Sequence, residues 1–294
     1  MNAVSDMGAR ADRPVSRVCV AWGTRTVDIE YQWLNTPAVE GAADGAPLMV
    51  FLHEGLGSLA LWRDFPSVLC ARLGCRGLVY SRPGYGQSTP RAADDHWAPD
   101  FMHQQADQVL PALLGALRIN PAQTPLWLLG HSDGGSIALL YAAHHPQQVA
   151  GLVVLAPHTM VEPITLQSIA EARTRYLETD LRQRLARYHR DPDSAFWGWN
   201  TVWLHPAFAT WDIRPELPAI ACPLLAVQGL DDAYGTLAQI RAIARQVPHT
   251  QLCELPSCGH TPHTDQAATL QAAIHDFFHQ HQQQCQETPA CNTP

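Results

Sequence analysis

The sequence predicts an α/β protein, a mostly parallel, doubly wound sheet of about eight strands with a helical cap inserted after the sixth. Three observations predict it. Short, continuously apolar runs recur along the chain, stretches of helical period separate them, and this alternation breaks once, over residues 158–218.

Residues 1–14 mix Asp6, Arg10, Asp12 and Arg13 with small residues and are expected to be disordered, as is the Gln-rich tail 282–294. Runs 17–22 and 27–34 read as an opening hairpin, because Val27, Ile29 and Tyr31 alternate with polar neighbours. Six further runs follow: 48–53 (LMVFLH), 77–82 (GLVYSR), 126–130 (LWLLG), 151–156 (GLVVLA), 223–229 (PLLAVQG) and 251–255 (QLCEL). Runs without alternation suit strands covered on both faces. Helices are expected over 59–73, 101–118, 135–145, 235–247 and 266–281, with Pro111 kinking or interrupting the second. The core is therefore 15–157 plus 219–281. Within 158–218, helical stretches at 165–177 and 178–189 precede an aromatic segment with Phe196, Trp197, Trp199, Trp203 and Trp211. This insertion leaves from the C-terminal end of a strand, the edge where open α/β sheets bind ligands. It reads as a lid over a pocket; the alternative is a pair of surface helices docked by their tryptophans.

Composition narrows the function. The 294 residues are 46% hydrophobic and 16% charged, with a formal net charge of -8. That suffices for one large core. Without a Lys/Arg cluster, nucleic acid and anionic membranes are poor partners, and a small molecule is the expected one. No apolar run reaches the roughly eighteen residues of a membrane span. Residues 1–14 lack the apolar stretch of a secretory signal, so a cytoplasmic address is expected. The eight cysteines are scattered, several inside apolar runs, which suits buried thiols better than a disulfide framework. Cys258, His260 and His263 lie close in sequence, yet nothing nearby completes four ligands. Neither a metal nor a cofactor is expected.

Gly130-His131-Ser132-Asp133-Gly134 follows an apolar strand and precedes a helical run. In that context G-x-S-x-G has a mechanical meaning. A strand-to-helix turn this tight needs small residues two positions either side of the serine, and it projects the hydroxyl at the positive end of the new helix. A serine hydroxyl is a weak nucleophile, so a base and an orienting acid are required. Run 223–229 leads into Asp231-Asp232, and run 251–255 leads into Cys258-Gly259-His260. Ser, Asp, His is the chain order that goes with such an elbow.

These motifs, with Leu52-His53-Glu54-Gly55-Leu56-Gly57-Ser58 and Ser81-Arg82-Pro83-Gly84-Tyr85-Gly86-Gln87-Ser88, give the chain a resemblance to the α/β-hydrolase fold superfamily over about residues 25–280. The resemblance implies Ser132 as nucleophile, His260 as base and Asp232, rather than Asp231, as acid. It implies an oxyanion hole made by the backbone N–H groups of Asp133 and of Gly55, with Leu56 the alternative register. The family usually reads His-Gly-x where this chain has His53-Glu54-Gly55. Glu54 either pins this loop or touches a polar substrate. Asp133 reads first as a carboxylate at a helix N-terminus and second as a substrate contact. Trp199 and Trp203 are the candidate substrate contacts from the insertion, and His263 is taken as structural. The expected activity is hydrolysis of a small apolar or aromatic ester through an acyl-enzyme. The alternatives are hydrolytic C–C cleavage of a dienoic ring-fission product and a slow-turnover ligand receptor. Ser132 at the elbow excludes an aspartate-nucleophile dehalogenase or epoxide hydrolase.

Overall fold

The computed structural model describes residues 10–37 and 46–287. The main sheet consists of β1 (Ser16–Trp22), β2 (Arg25–Leu34), β3 (Leu48–Leu52), β4 (Arg76–Tyr80), β5 (Leu126–His131), β6 (Gly151–Leu155), β7 (Leu224–Gly229) and β8 (Thr250–Leu255). Their spatial order is β1-β2-β4-β3-β5-β6-β7-β8. β2 is antiparallel to β1 and to β4, and every other pair is parallel. The expected sheet is therefore present, and burial follows position in it. β3, β5, β6 and β7 are buried at every residue, while the edge strands β1 and β8 are only partly so. Unbroken apolar runs belong in the middle, where both faces are covered.

The helices are α1 (Phe65–Leu73), α2 (101–116), α3 (Asp133–His144), α4 (Pro163–Glu178), α5 (Leu181–Leu185), α6 (Pro192–Trp203), α7 (Ala238–Gln246) and α8 (Ala267–Glu287), besides single turns. The pleat divides strand residues between two cores. Val50, Leu78, Leu128 and Val154 join Leu113 of α2, Ile137 of α3 and Ile243 of α7 on one face. Met49, Val79, Leu129 and Val153 join Leu69 of α1 and Phe278 of α8 on the other.

Several boundaries differ from expectation. Residues 1–9 and 288–294 lie outside the described residues, but the edges of both expected tails are structured. Arg10–Ala11 pairs with Thr36–Pro37, Arg13 N–H donates to the Trp33 carbonyl at 2.8 Å, and α8 runs on to Glu287. In α2, the expected interruption at Pro111 is a π turn over Gln105–Val109. Proline has no N–H to close the usual bond one turn back, and the preceding turn widens. The aromatic stretch, to which periodicity assigned no helix, is α6. Its start is capped by Asp191, whose carboxylate accepts the N–H groups of Asp193 and Ser194 at 3.0 Å each.

Residues 158–218 follow β6, the sixth strand, and carry α4, α5 and α6. The segment leaves and returns side by side. Met160 and Asp212 form an antiparallel bridge, and Ile213 N–H donates to the Thr159 carbonyl at 2.9 Å. Among the described residues no helix is long and apolar enough to cross a membrane.

Candidate active site

β5 ends at His131 and α3 begins at Asp133, so Ser132 alone makes the turn. Its backbone has φ 51° and ψ -119°, a region that residues other than glycine rarely enter. The turn closes this tightly because its flanking glycines face backbone. A Cβ on Gly130 would strike the Gly134 carbonyl, and one on Gly134 would strike the Leu52 carbonyl. Ser132 N–H donates to the Leu155 carbonyl at 2.9 Å and ties the turn to β6.

β7 and β8 are neighbours beyond β6, and the loops that leave them converge on the same edge. His260 Nε2 lies 2.9 Å from Ser132 Oγ, and His260 Nδ1 lies 2.9 Å from each Asp232 carboxylate oxygen. A carboxylate can only accept, so Nδ1 carries the proton and Nε2 is left to accept from the serine hydroxyl. Asp232 also accepts Tyr234 N–H at 2.8 Å and the Gln228 side-chain amide at 3.1 Å. Burial opposes its ionisation, but the hydrogen bond and charge of His260 outweigh burial and hold the carboxyl below its ordinary range. Asp231, by contrast, is exposed, and its backbone N–H serves the Cys258 carbonyl.

Glu54 is engaged inside the protein. Its carboxylate lies 3.4 Å from His131 Nδ1, and His131 Nε2–H donates to the His260 carbonyl at 2.7 Å. Burial would raise the Glu54 pKa, yet the His131 hydrogen bond and charge take it well below the usual carboxylate range. Burial likewise works against a charge on His131, and Glu54 overrides it to raise the His131 pKa. The pair links the loop after β3 to the backbone of His260.

Asp133 is wholly buried. One carboxylate oxygen accepts Trp203 Nε1–H at 3.1 Å, and the other lies 3.9 Å from the Arg82 guanidinium. Burial pushes its pKa up to about 6, against the opposing Arg82 charge and Trp203 hydrogen bond. Its backbone N–H is the first of α3, where an amide has no acceptor one turn earlier. Among the described residues, the N–H of Gly55 also engages no acceptor.

A cavity of about 140 Å³ opens over Ser132. Glu54, Gly55 and Asp133 line its sheet side, and Ile169, Trp199 and Trp203 its far side. The Trp199 indole lies so close to Gly55 that a Cβ there would collide with it. Thus the insertion touches the loop after β3 through Trp199 and α3 through Trp203.

Three contacts escaped the sequence. His158 lines the cavity with its ring 5.8 Å from that of His260, and burial above all pushes its pKa down to about 3, so it is neutral. Its position just past β6 was a usable signal. Gln228, the lone polar side chain in PLLAVQG, was another. Tyr234, 4.8 Å from the His260 ring, had none. His263 packs against Trp62, Phe65 and His131 at 4.8, 5.5 and 5.0 Å.

The family model described as the Alpha/beta hydrolase family matches residues 49–273. The 2-hydroxy-6-oxo-6-phenylhexa-2,4-dienoate hydrolase of Burkholderia cepacia is 23% identical over 260 residues, covering 78% of this chain and 87% of its own. The sn-1-specific diacylglycerol lipase ABHD11 of Mus musculus is 24% identical over 288 residues, covering 87% and 88%. Among solved structures, the enol-lactonase from Burkholderia xenovorans LB400 superposes with a TM-score of 0.65 at 20% identity, over 90% of this chain and 100% of its own.

Proposed function

The chain belongs to the alpha/beta hydrolase family, and on that premise we propose that it is a serine hydrolase cleaving a small apolar or aromatic carboxylic ester. The observation that carries the reading is the unbroken hydrogen-bond chain from Ser132 Oγ through His260 to Asp232, with 2.9 Å at each link. In this reading Ser132 attacks the ester carbonyl while His260 takes its proton. The charged imidazole is then stabilised by Asp232 and protonates the leaving alcohol. Gly55 N–H and Asp133 N–H receive the oxyanion, each donor being worth roughly 10²–10³ in rate. Water, activated by the same histidine, releases the acyl group. The small cavity and its Ile169, Trp199 and Leu56 walls support a compact apolar acyl group, and residues 158–218 serve as its cap.

The test is nucleophile deletion. Ser132→Ala should remain folded, lose roughly 10⁴–10⁶-fold in turnover of short aryl esters, and no longer be labelled by a fluorophosphonate probe. Persisting label, or near-normal turnover, would assign the chemistry to another nucleophile. The B. cepacia relative, named for its dienoate substrate, favours C–C hydrolysis as the second reading. Offering a ring-fission product beside the esters separates the two, because only a C–C hydrolase would turn it over faster.

A further inference from the structure

The motif Ser81-Arg82-Pro83-Gly84-Tyr85-Gly86-Gln87-Ser88 takes no part in the mechanism above, yet it delivers Arg82 to the back of the oxyanion hole. We propose that Arg82 is a positioning residue for the oxyanion. Its guanidinium fixes and polarises the Glu54–Gly55 peptide from behind, so that Gly55 N–H becomes a stronger donor. This rests on the ester-hydrolase reading, because it requires an oxyanion to stabilise.

The geometry converges on one atom. The Glu54 carbonyl oxygen accepts from Arg82 Nη2 at 2.8 Å, from His53 Nδ1 at 2.7 Å and from Gly57 N–H at 3.0 Å. The His53 tautomer follows from its other nitrogen, which accepts Arg82 N–H at 3.0 Å. Burial first, and then the Arg82 charge, lower the His53 pKa, so the guanidinium is the cation among these three donors. Positive charge at a peptide oxygen withdraws electron density from the nitrogen of the same peptide, and that nitrogen belongs to Gly55. Arg82 also lies 3.9 Å from the carboxylate of Asp133, whose backbone N–H is the second donor.

A purely structural role fits Arg82 less well. It is 1% exposed, its Nε and Nη1 make no hydrogen bond among the described residues, and the face of Tyr85 lies 4.6 Å away. An incompletely paired buried charge destabilises a fold, and a well-packed apolar side chain would serve stability as well or better. The same charge, buried from solvent, gains its value when negative charge develops nearby.

The experiment compares wild type, Arg82→Met and Arg82→Lys. Each is assayed with p-nitrophenyl butyrate and titrated with a trifluoromethyl ketone of equal acyl length, which adds Ser132 as a charged hemiketal. Arg82→Met should lose roughly 10–10²-fold in kcat with KM little changed, and bind the ketone weaker by the same factor. Arg82→Lys, keeping the charge and a donor, should fall between. A reactive wild type with an indifferent Arg82→Met overturns the proposal alone, as does a loss confined to KM with unchanged ketone affinity. Should Arg82→Met fail to fold, Arg82→Lys decides. A joint fall in kcat and ketone affinity supports the proposal, and wild-type values for both overturn it. A wild type that reacts with neither compound overturns the ester-hydrolase reading and this proposal with it.

Discussion

The two sides of the cavity are held in place by different physics. On the sheet side, position comes from the backbone. Ser132 occupies a left-handed turn locked by glycine-to-carbonyl contacts, and Asp232 and His260 leave neighbouring parallel strands. On the insertion side, position comes from side chains. Trp199 and Trp203 lie one turn apart on α6, the first packed on Gly55 and the second bonded to Asp133. A backbone-fixed wall resists displacement, which suits groups that must stay within hydrogen-bond distance of a reacting atom. A side-chain-fixed wall can be rebuilt by substitution, which suits the choice of substrate.

The contrast is most exposed to test at Asp232. Asp232→Asn should cost on the order of 10⁴ in kcat by leaving His260 in the wrong tautomer, whereas Asp231→Asn, at an exposed side chain, should leave activity near wild type. Steady-state kinetics on both variants decides, and exchanged phenotypes would remove Asp232 from the role. Next in size comes Trp203. It is 1% exposed, and its ring packs on Phe208 at 4.8 Å and on His158 at 5.0 Å. Trp203→Ala should therefore cost about 3–5 kcal/mol of stability, seen as a lowered Tm with all esters affected alike. Trp199 faces the cavity, and Trp199→Ala should cost roughly 1–3 kcal/mol in kcat/KM for bulky aromatic esters and much less for acetates. A uniform loss across chain lengths would merge the two tryptophans into one packing role.

Acid stability offers a further test of the insertion side. His158 titrates at about 3 in the fold, against 6.5 in an unperturbed chain. As pH falls below roughly 6.5, the unfolded chain takes up a proton that the fold refuses. The stability that His158 allows is thus complete above that range and is lost progressively towards pH 3. His158→Gln should flatten part of the decline in Tm between pH 7 and about 4. Parallel melting curves for the variant and wild type would place the acid sensitivity elsewhere, with buried His263 the next candidate.

Much of this site was legible in the sequence because its parts are local. The elbow is a five-residue pattern with a strand before it and a helix after it, and the physical demand for small residues acts within the pattern itself. The two carboxylates after β7 were equally visible, but the residues by themselves did not choose between them. Resemblance favoured Asp232, and the fold turns that side chain towards His260 while its neighbour faces solvent.

The apolar runs marked the central strands from their own composition, since burial on two faces is a property each strand carries, but run 251–255, read the same way, is the partly exposed edge strand β8. The order Ser132, Asp232, His260 was likewise present in the chain before any folding. Tertiary structure decided what depends on distant segments meeting. It paired Glu54 with His131, aimed Gln228 at Asp232, brought Trp203 to Asp133 and set Arg82 behind the Glu54 carbonyl. Except for Gln228, which stands out as the lone polar residue of its run and lies four residues from Asp232, these contacts leave no local trace, because a hydrogen bond between residues far apart in sequence depends on how strands and helices are stacked. Periodicity reports only which way a side chain faces within its own element.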